Sequence, residues 1–519
     1  MNATCYCKYL PFNGADLFTV VILPDKDGKF PTVIFRTPYV DKEEFLSEDE
    51  ISKSKLEQFS KMTAAGYAVV FQHCRGKGKS GGDCIPYINE RADGLFLQSW
   101  IREQSFYNGE LLLCGHSYTA SVHYATAPFA PDIKGAVLDA QDTERYNLNY
   151  RNGLYKMGLA GNWYVKSMYK KKTIRNVNYT FDSFKTLPLS DFSKTVFGER
   201  AENFDEILKH PKKDDAFWST HSASSETRGA LNCANIPVLL ITGFYDIYTG
   251  GVFDMWHSLD GKTRSKCALA VHPFGHSGTP DKQPINFENG NLEEAFENCK
   301  LRWLDYVRGK CEAPLQTGKI TYYTAFDNKW RTDDFAPTEN TVKLKLGKGS
   351  VTYKYNPYAP ASFVGGLSAN FGGTAWQPRE ERYDVVTLFT PEFEKDTWVK
   401  GKISASLNVK SDCEDTAFYM RISLCKEEGD FGLRDDINQI SNFDSEYQPN
   451  TEIQMSFSFD EHSFLIKKGE KLRIDISSSA FPLYVPHTNM RGPFAEHKTA
   501  KIANNTVCLD SSYIELPIA

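Results

Sequence analysis

The chain has 519 residues and a formal net charge of −6, with an isoelectric point near 6.1. That length exceeds what one hydrophobic core usually serves, so two or three domains are expected. The mild acidity gives no general attraction to nucleic acid or an anionic membrane. Residues 1–8 lack a basic segment followed by a long apolar stretch, and no run reaches the ~18 apolar residues of a membrane span, so a cytoplasmic chain is expected.

In chain order, residues 17–23 and 32–36 read as strands separated by a turn-rich segment at 24–28. A polar-apolar helical stretch near 55–65 then precedes a strand at 67–72, and a helix over 93–104 precedes the apolar run 111–114. A further helix and a strand at 135–138 follow. Alternation of this kind predicts a parallel sheet with helices on its faces, an α/β core. From about 142 to 235 the pattern turns polar and aromatic with few strand-like runs, and strands resume at 237–242 and 268–271. The economical account is a core over 1–141 and 236–312, interrupted by a helical cap over 142–235 that overhangs the carboxyl ends of the strands. Ligands bind there in open α/β sheets. Beyond a helix that ends near 309, short alternating runs at 319–323, 342–346, 403–409 and 471–476 predict an antiparallel β-sandwich over 313–519.

Three residues stand where this architecture exposes chemistry. Ser117, in Gly115-His116-Ser117-Tyr118-Thr119, follows the apolar run 111–114 and precedes a helix, the place of a strained turn that lifts a hydroxyl clear of a sheet. Asp246 follows the strand at 237–242, and His276 follows the strand at 268–271. A histidine can take the serine proton and return it to a leaving group, and a carboxylate can fix the histidine tautomer. The order Ser, Asp, His is that of the α/β-hydrolases.

Other candidates fall away on spacing. The run Arg75 to Gly82 lacks the spacing of a phosphate loop and reads as a tight loop of the core. His116 and His123 have no evident partner and are expected to pack or face solvent. Cys5 and Cys7 are too close for an ordinary structural zinc pair, and Pro273 and Gly275 keep His272 and His276 off a common helical face, so no metal site is expected. Twelve cysteines are present, several in apolar runs where a free thiol behaves as a small buried hydrophobe.

At these residues the chain resembles the cocaine esterase-like (CocE/NonD) family of α/β-hydrolases, related to X-prolyl dipeptidyl-peptidases and α-amino-acid ester hydrolases. The resemblance is carried by Arg36-Thr37-Pro38-Tyr39, Arg75-Gly76-x-Gly78-x-Ser80-x-Gly82, Gly115-x-Ser117-Tyr118, Gly243-x-Tyr245-Asp246, Pro273-x-Gly275-His276, Arg382-Tyr383-Asp384-Val385 and the run from Ile476 to Pro482. It implies a helical cap and a carboxyl-terminal jelly-roll domain. It also implies that Tyr39 donates its hydroxyl, beside the backbone N–H of Tyr118, to an oxyanion hole, and that Tyr248 and Trp163 line the acyl pocket. Its activity would be hydrolysis of a small-molecule ester or related acyl compound without a cofactor, and a homodimer is compatible with it. An X-prolyl dipeptidyl-peptidase or amino-acid ester hydrolase is the alternative within the family, and a non-catalytic binding protein the alternative outside it. His73, Ala120 and Ser105-Phe106 depart from the family's usual residues and bear on substrate preference and packing.

Overall fold

The computed structural model describes residues 4–220, 227, 229–278, 285, 287–362, 376–377 and 382–519. Its central feature is a ten-stranded sheet of β1 (Thr4–Phe12), β2 (Ala15–Leu23), β3 (Phe30–Thr37), β4 (Ala68–His73), β5 (Tyr107–His116), β6 (Ile133–Asp139), β7 (Val238–Tyr245), β8 (Ala268–Gly275), β9 (Ile320–Thr324) and β10 (Lys329–Asp333). The spatial order is β1-β2-β4-β3-β5-β6-β7-β8-β9-β10. Every neighbouring pair from β4 to β9 is parallel, and antiparallel pairs close the two edges.

The middle strands are apolar runs because both faces of the sheet are covered. Every residue of β4, β7 and β8 is buried, and successive side chains of β5 divide between two cores: Leu111 and Leu113 enter one, Leu112 the other. Each fully buried side chain of this kind contributes about 1.5–3 kcal/mol. The covering helices are α1 (Glu48–Gln58), α2 (Glu90–Arg102), α3 (Tyr118–Tyr124), α4 (Thr249–Ser258) and α5 (Cys299–Tyr306). A reciprocal Ser47–Glu50 capping box starts α1, satisfying two orphan backbone donors. Trp303 and Leu304 of α5 are fully buried against the core that Leu112 enters.

Two expectations need correction. The alternating run at 319–323 does not enter the β-sandwich: it forms β9, pairs in parallel with β8, and is buried throughout. Period-two alternation identifies a strand but not the sheet that accepts it. The helical stretch placed at 55–65 begins earlier, at Glu48, and breaks after Gln58 before a short second helix, Ser60–Ala64.

Between β6 and β7 the chain forms short helical segments and a small hairpin of Tyr150–Arg151 with Leu154–Tyr155. Two wide helical turns, Met157–Gly161 and Tyr164–Met168, bracket Trp163. The carboxyl-terminal region holds two five-stranded sheets whose strands pair antiparallel, with Ala503–Pro517 central in one and Ala417–Cys425 in the other. Polar links fasten it to the rest: His462 Nε2 lies 2.9 Å from the Tyr245 hydroxyl, and Arg151 of the cap hairpin reaches Asp436 at 2.7 Å and Asp460 at 2.9 Å. Among the described residues no helix is long and apolar enough to cross a membrane, and no His, Cys, Asp and Glu cluster could hold a metal ion.

Candidate active site

Four parallel strands deliver the site. Tyr39 follows β3, Ser117 follows β5, Asp246 follows β7 and His276 follows β8, all at the carboxyl ends where the sheet opens toward the cap. Ser117 sits between β5 and α3 at φ 56°, ψ −129°, a conformation few non-glycine residues adopt. The turn is tight enough that a Cβ on Gly115 would stand 2.0 Å from the Thr119 carbonyl oxygen. Thr119 fills the space where glycine often stands: its hydroxyl donates to the His116 carbonyl at 2.6 Å and accepts from the His116 N–H at 2.5 Å.

The three polar side chains form a continuous line. His276 Nε2 is 2.8 Å from Ser117 Oγ, and His276 Nδ1 is 2.9 Å from Asp246 Oδ2. Asp246 is fully buried, and its other oxygen accepts the Tyr248 backbone N–H at 2.7 Å. An ionised carboxylate only accepts hydrogen bonds, so the His276 proton sits on Nδ1 and Nε2 presents a lone pair to the serine hydroxyl.

Around this line lies a cavity of about 250 Å³ whose walls include Tyr39, Tyr87, Trp163, Ile247, Tyr248 and His116. Trp163 Nε1–H donates to the Tyr39 hydroxyl at 3.0 Å. That occupies an acceptor site of the phenol and leaves its own proton free for the cavity it shares with Ser117. Although 45 % of Tyr39 is exposed through the mouth of the site, protein packed around its hydroxyl pushes the phenol pKa well up, so it remains a donor. The Tyr118 N–H belongs to the first turn of α3 and has no intrahelical acceptor. Its side chain points away: the phenol donates to Glu90 Oε1 at 2.8 Å and accepts from the Tyr87 N–H at 2.8 Å. Glu90 is in turn held by the buried Arg36 at 2.9 Å.

All seven residues expected at the site from the sequence thus converge: Ser117, Asp246 and His276 in one line, with Tyr39, Tyr118, Tyr248 and Trp163 around it. His116 is a correction, because it has a partner and faces the cavity. Its ring packs 4.9 Å from that of His276, and Nδ1 lies 3.4 Å from Asp139 Oδ2, itself 2.7 Å from Lys300. Burial opposes a charge on the His116 ring, yet the Asp139 carboxylate outweighs it and raises the His116 pKa. Its place inside the turn was the available signal. Tyr87 was also missed: nothing local marks it, and its left-handed backbone, φ 69°, aims it at the site. His123 packs as expected, with burial lowering its pKa to about 3.

The glycine-rich run has a structural role. Its buried Lys77 donates to the Ser167 carbonyl of the cap at 2.6 Å and pairs with Asp41 at 2.9 Å. His73, one of the departures noted in the sequence, is buried and lies 2.8 Å from Glu43.

Comparison with known proteins agrees with this architecture. The chain is similar to the cocaine esterase of Rhodococcus sp. (strain MB1 Bresler), 23 % identical over 547 residues that cover 94 % of this chain and 92 % of the relative. Two solved structures superpose along their whole length: an aminopeptidase from a marine sediment Thaumarchaeota archaeon (TM-score 0.84, 18 % identity, 100 % of this chain and 96 % of the other) and an α-amino acid ester hydrolase (TM-score 0.83, 18 % identity, 100 % and 97 %). A CocE/NonD family hydrolase from Staphylococcus aureus aligns less closely, with a TM-score of 0.65 at 15 % identity over 100 % of this chain and 94 % of that one. The class is therefore an α/β-hydrolase with a carboxyl-terminal β domain, a serine-type hydrolase acting on esters or peptides. Residues 13–278 match the X-Pro dipeptidyl-peptidase (S15) family and residues 315–514 match the C-terminal non-catalytic domain of X-Pro dipeptidyl-peptidases. The chain belongs to the S15 family.

Proposed function

We propose that the protein hydrolyses carboxylic esters of small molecules through an acyl-enzyme formed on Ser117. The observation that carries this reading is the line Ser117–His276–Asp246, with bonds of 2.8 and 2.9 Å, opening on an aromatic cavity. His276 takes the Ser117 proton as Oγ attacks the carbonyl, then gives it to the departing alkoxide, while Asp246 holds the tautomer and stabilises the imidazolium. Negative charge on the carbonyl oxygen is met by the Tyr39 hydroxyl and the Tyr118 N–H. Such donors favour the tetrahedral state over the ground state because they are already aimed at the developing charge. Water activated by His276 then repeats the sequence and releases the acid. No cofactor enters these steps.

The family description favours a second reading, cleavage of a dipeptide from a peptide amino end. It requires a carboxylate to hold the substrate ammonium. Among the described residues lining the cavity there is none. Nearby Asp142 is buried and engaged by the Asn147 amide at 2.7 Å. Ester hydrolysis needs no such group and fits the aromatic walls.

The test is labelling by a fluorophosphonate probe, with turnover of p-nitrophenyl acetate beside an X-Pro p-nitroanilide. Ser117→Ala is expected to abolish labelling and acetate turnover. Undiminished labelling of that variant removes Ser117 from the mechanism, and efficient cleavage of the anilide alone favours the peptidase reading.

A further inference from the structure

We propose that His116 is the specificity residue for the departing alcohol, recognising esters in which that alcohol carries a carboxylate close to the scissile bond; this rests on the ester-hydrolase reading. Among the described residues lining the cavity around Ser117, only His116 and His276 can carry a positive charge. His276 is committed to Ser117 and Asp246, which leaves His116. One edge of its ring is anchored: Nδ1 lies 3.4 Å from Asp139 Oδ2, and Asp139 is itself held by Lys300 at 2.7 Å. Nε2, on the other edge, is left for the cavity that the ring lines, and 42 % of the side chain is exposed.

Position assigns His116 to the alcohol side. The leaving oxygen takes its proton from His276 Nε2, so the departing group lies beside the His276 ring. The rings packed on that histidine are His116 at 4.9 Å and Tyr248 at 5.7 Å, and burial keeps the Tyr248 phenol uncharged. A carboxylate on the departing alcohol therefore meets His116, and no carboxylate among the described lining residues opposes it.

The contact with Asp139 also fixes what Nε2 presents. An ionised carboxylate only accepts, so the first ring proton sits on Nδ1. Nε2 then offers a lone pair to the cavity when the ring is neutral and an N–H when it is charged. Only the charged ring donates to a substrate carboxylate. Burial opposes that second proton, Asp139 and then Asp246 favour it, and Lys300 opposes it; the carboxylates prevail and raise the His116 pKa. Of the other groups near it, His272 on β8 is kept neutral by burial, which lowers its pKa to about 4. Burial raises the pKa of Tyr39, Tyr87 and Tyr248, so none of these four titrates in the same range.

The experiment measures kcat/KM for 3-acetoxybenzoate and for its uncharged counterpart 3-acetoxybenzamide between about pH 6 and pH 9, where the benzoate stays ionised. Their ratio is the readout, because the proton on His276 and any general change in activity act on both esters and divide out. In the wild type the ratio is expected to fall by about fivefold to tenfold as pH rises, the worth of one charge-assisted hydrogen bond at a partly exposed site. His116→Gln should make the ratio low and independent of pH. Lys300→Gln removes a cation that opposes the His116 proton and should carry the fall to higher pH, a shift that loss of packing does not produce. A flat ratio in the wild type, a fall that persists in His116→Gln, or a fall at the same or lower pH in Lys300→Gln overturns the inference and leaves the ester reading standing. A pH-dependent preference for p-nitrophenyl hemisuccinate over p-nitrophenyl butyrate, with none between the two acetoxy esters, puts the carboxylate on the acyl side and overturns it as well. Absence of Ser117-dependent turnover of any of these esters overturns the ester reading and the inference with it.

Discussion

Two neighbouring tyrosines illustrate how differently one residue type is used at this site. Tyr39 offers its hydroxyl, held by the Trp163 N–H at 3.0 Å, whereas Tyr118 offers only its backbone N–H and spends its hydroxyl on Glu90 and Tyr87. Removing the two hydroxyls should therefore give opposite signatures. Tyr39→Phe is expected to lower kcat for a short ester by about 10²–10³, the usual cost of one oxyanion donor, with an unchanged melting temperature. Tyr118→Phe should leave kcat within a few-fold but destabilise the fold by about 1–3 kcal/mol, because the buried Tyr87 N–H loses its acceptor and Glu90 a donor. Steady-state kinetics and thermal denaturation on the same samples check both, and matching profiles for the two variants would refute the division of labour. His116, whose pKa the Asp139 carboxylate raises, is a neighbour of the base that the sequence did not disclose, since Asp139 and the Lys300 that holds it come from β6 and α5.

The strand-to-helix turn between β5 and α3 is the element on which the site depends. Its conformation requires glycine at 115, where an added Cβ would meet the Thr119 carbonyl oxygen at 2.0 Å and the Ala120 nitrogen at 2.5 Å. Gly115→Ala must open the turn and shift Ser117 from His276, so its kcat/KM for p-nitrophenyl acetate should fall by at least about 10², since a 1 Å misplacement of reacting groups already costs that much. A variant that retains wild-type kinetics would contradict the crowding. This turn was legible in the sequence because its parts are contiguous: an apolar run, glycine, serine and a helix start. So were Asp246 and His276, each directly after an apolar run. Tyr39, Tyr118, Tyr248 and Trp163 were placed by the family resemblance, since no local pattern distinguishes them from packing tyrosines and tryptophans. The edge strand β1 went unread despite a hairpin signal, Asn13-Gly14 between β1 and β2, both residues with positive φ. Its side chains are half-buried or exposed for most of its length, so it lacks the apolar run that marked its neighbours. β9 was read as a strand but given to the wrong sheet, because its partner β8 lies some 50 residues earlier and pairing across that distance leaves no trace in local periodicity.

At the scale of the molecule, core, cap and β domain are stapled by a few buried polar groups. Lys77 ties the core to the cap, His462 ties the β domain to Tyr245, next to Asp246, and Arg151 ties the cap hairpin to the β domain through Asp436, Asp460 and the Ser458 carbonyl. Arg151 is the most consequential, because both carboxylates it neutralises are buried. Burial already raises the Asp436 pKa, with Arg151 opposing that rise, and the same guanidinium helps to hold Asp460 below its ordinary value against the opposing effect of burial. Arg151→Ala takes the guanidinium from between two buried carboxylates, a loss of about 3–5 kcal/mol for a broken buried pair and a fall of roughly 5 °C or more in the melting temperature. The sign of its pH dependence follows from proton linkage. Without the arginine, burial and the neighbouring Asp460 hold the Asp436 carboxyl further above its unfolded-state pKa, so the folded state binds more protons between the two values, and its stability falls as pH rises through that window. Toward pH 5 Asp436 takes up a solvent proton and sheds its charge more readily than at pH 8. The deficit of Arg151→Ala relative to wild type should therefore be larger at pH 8 than at pH 5 when both proteins are followed by scanning calorimetry. A deficit of equal size at the two pH values would mean that Arg151 acts by packing its stem and not by neutralising buried charge.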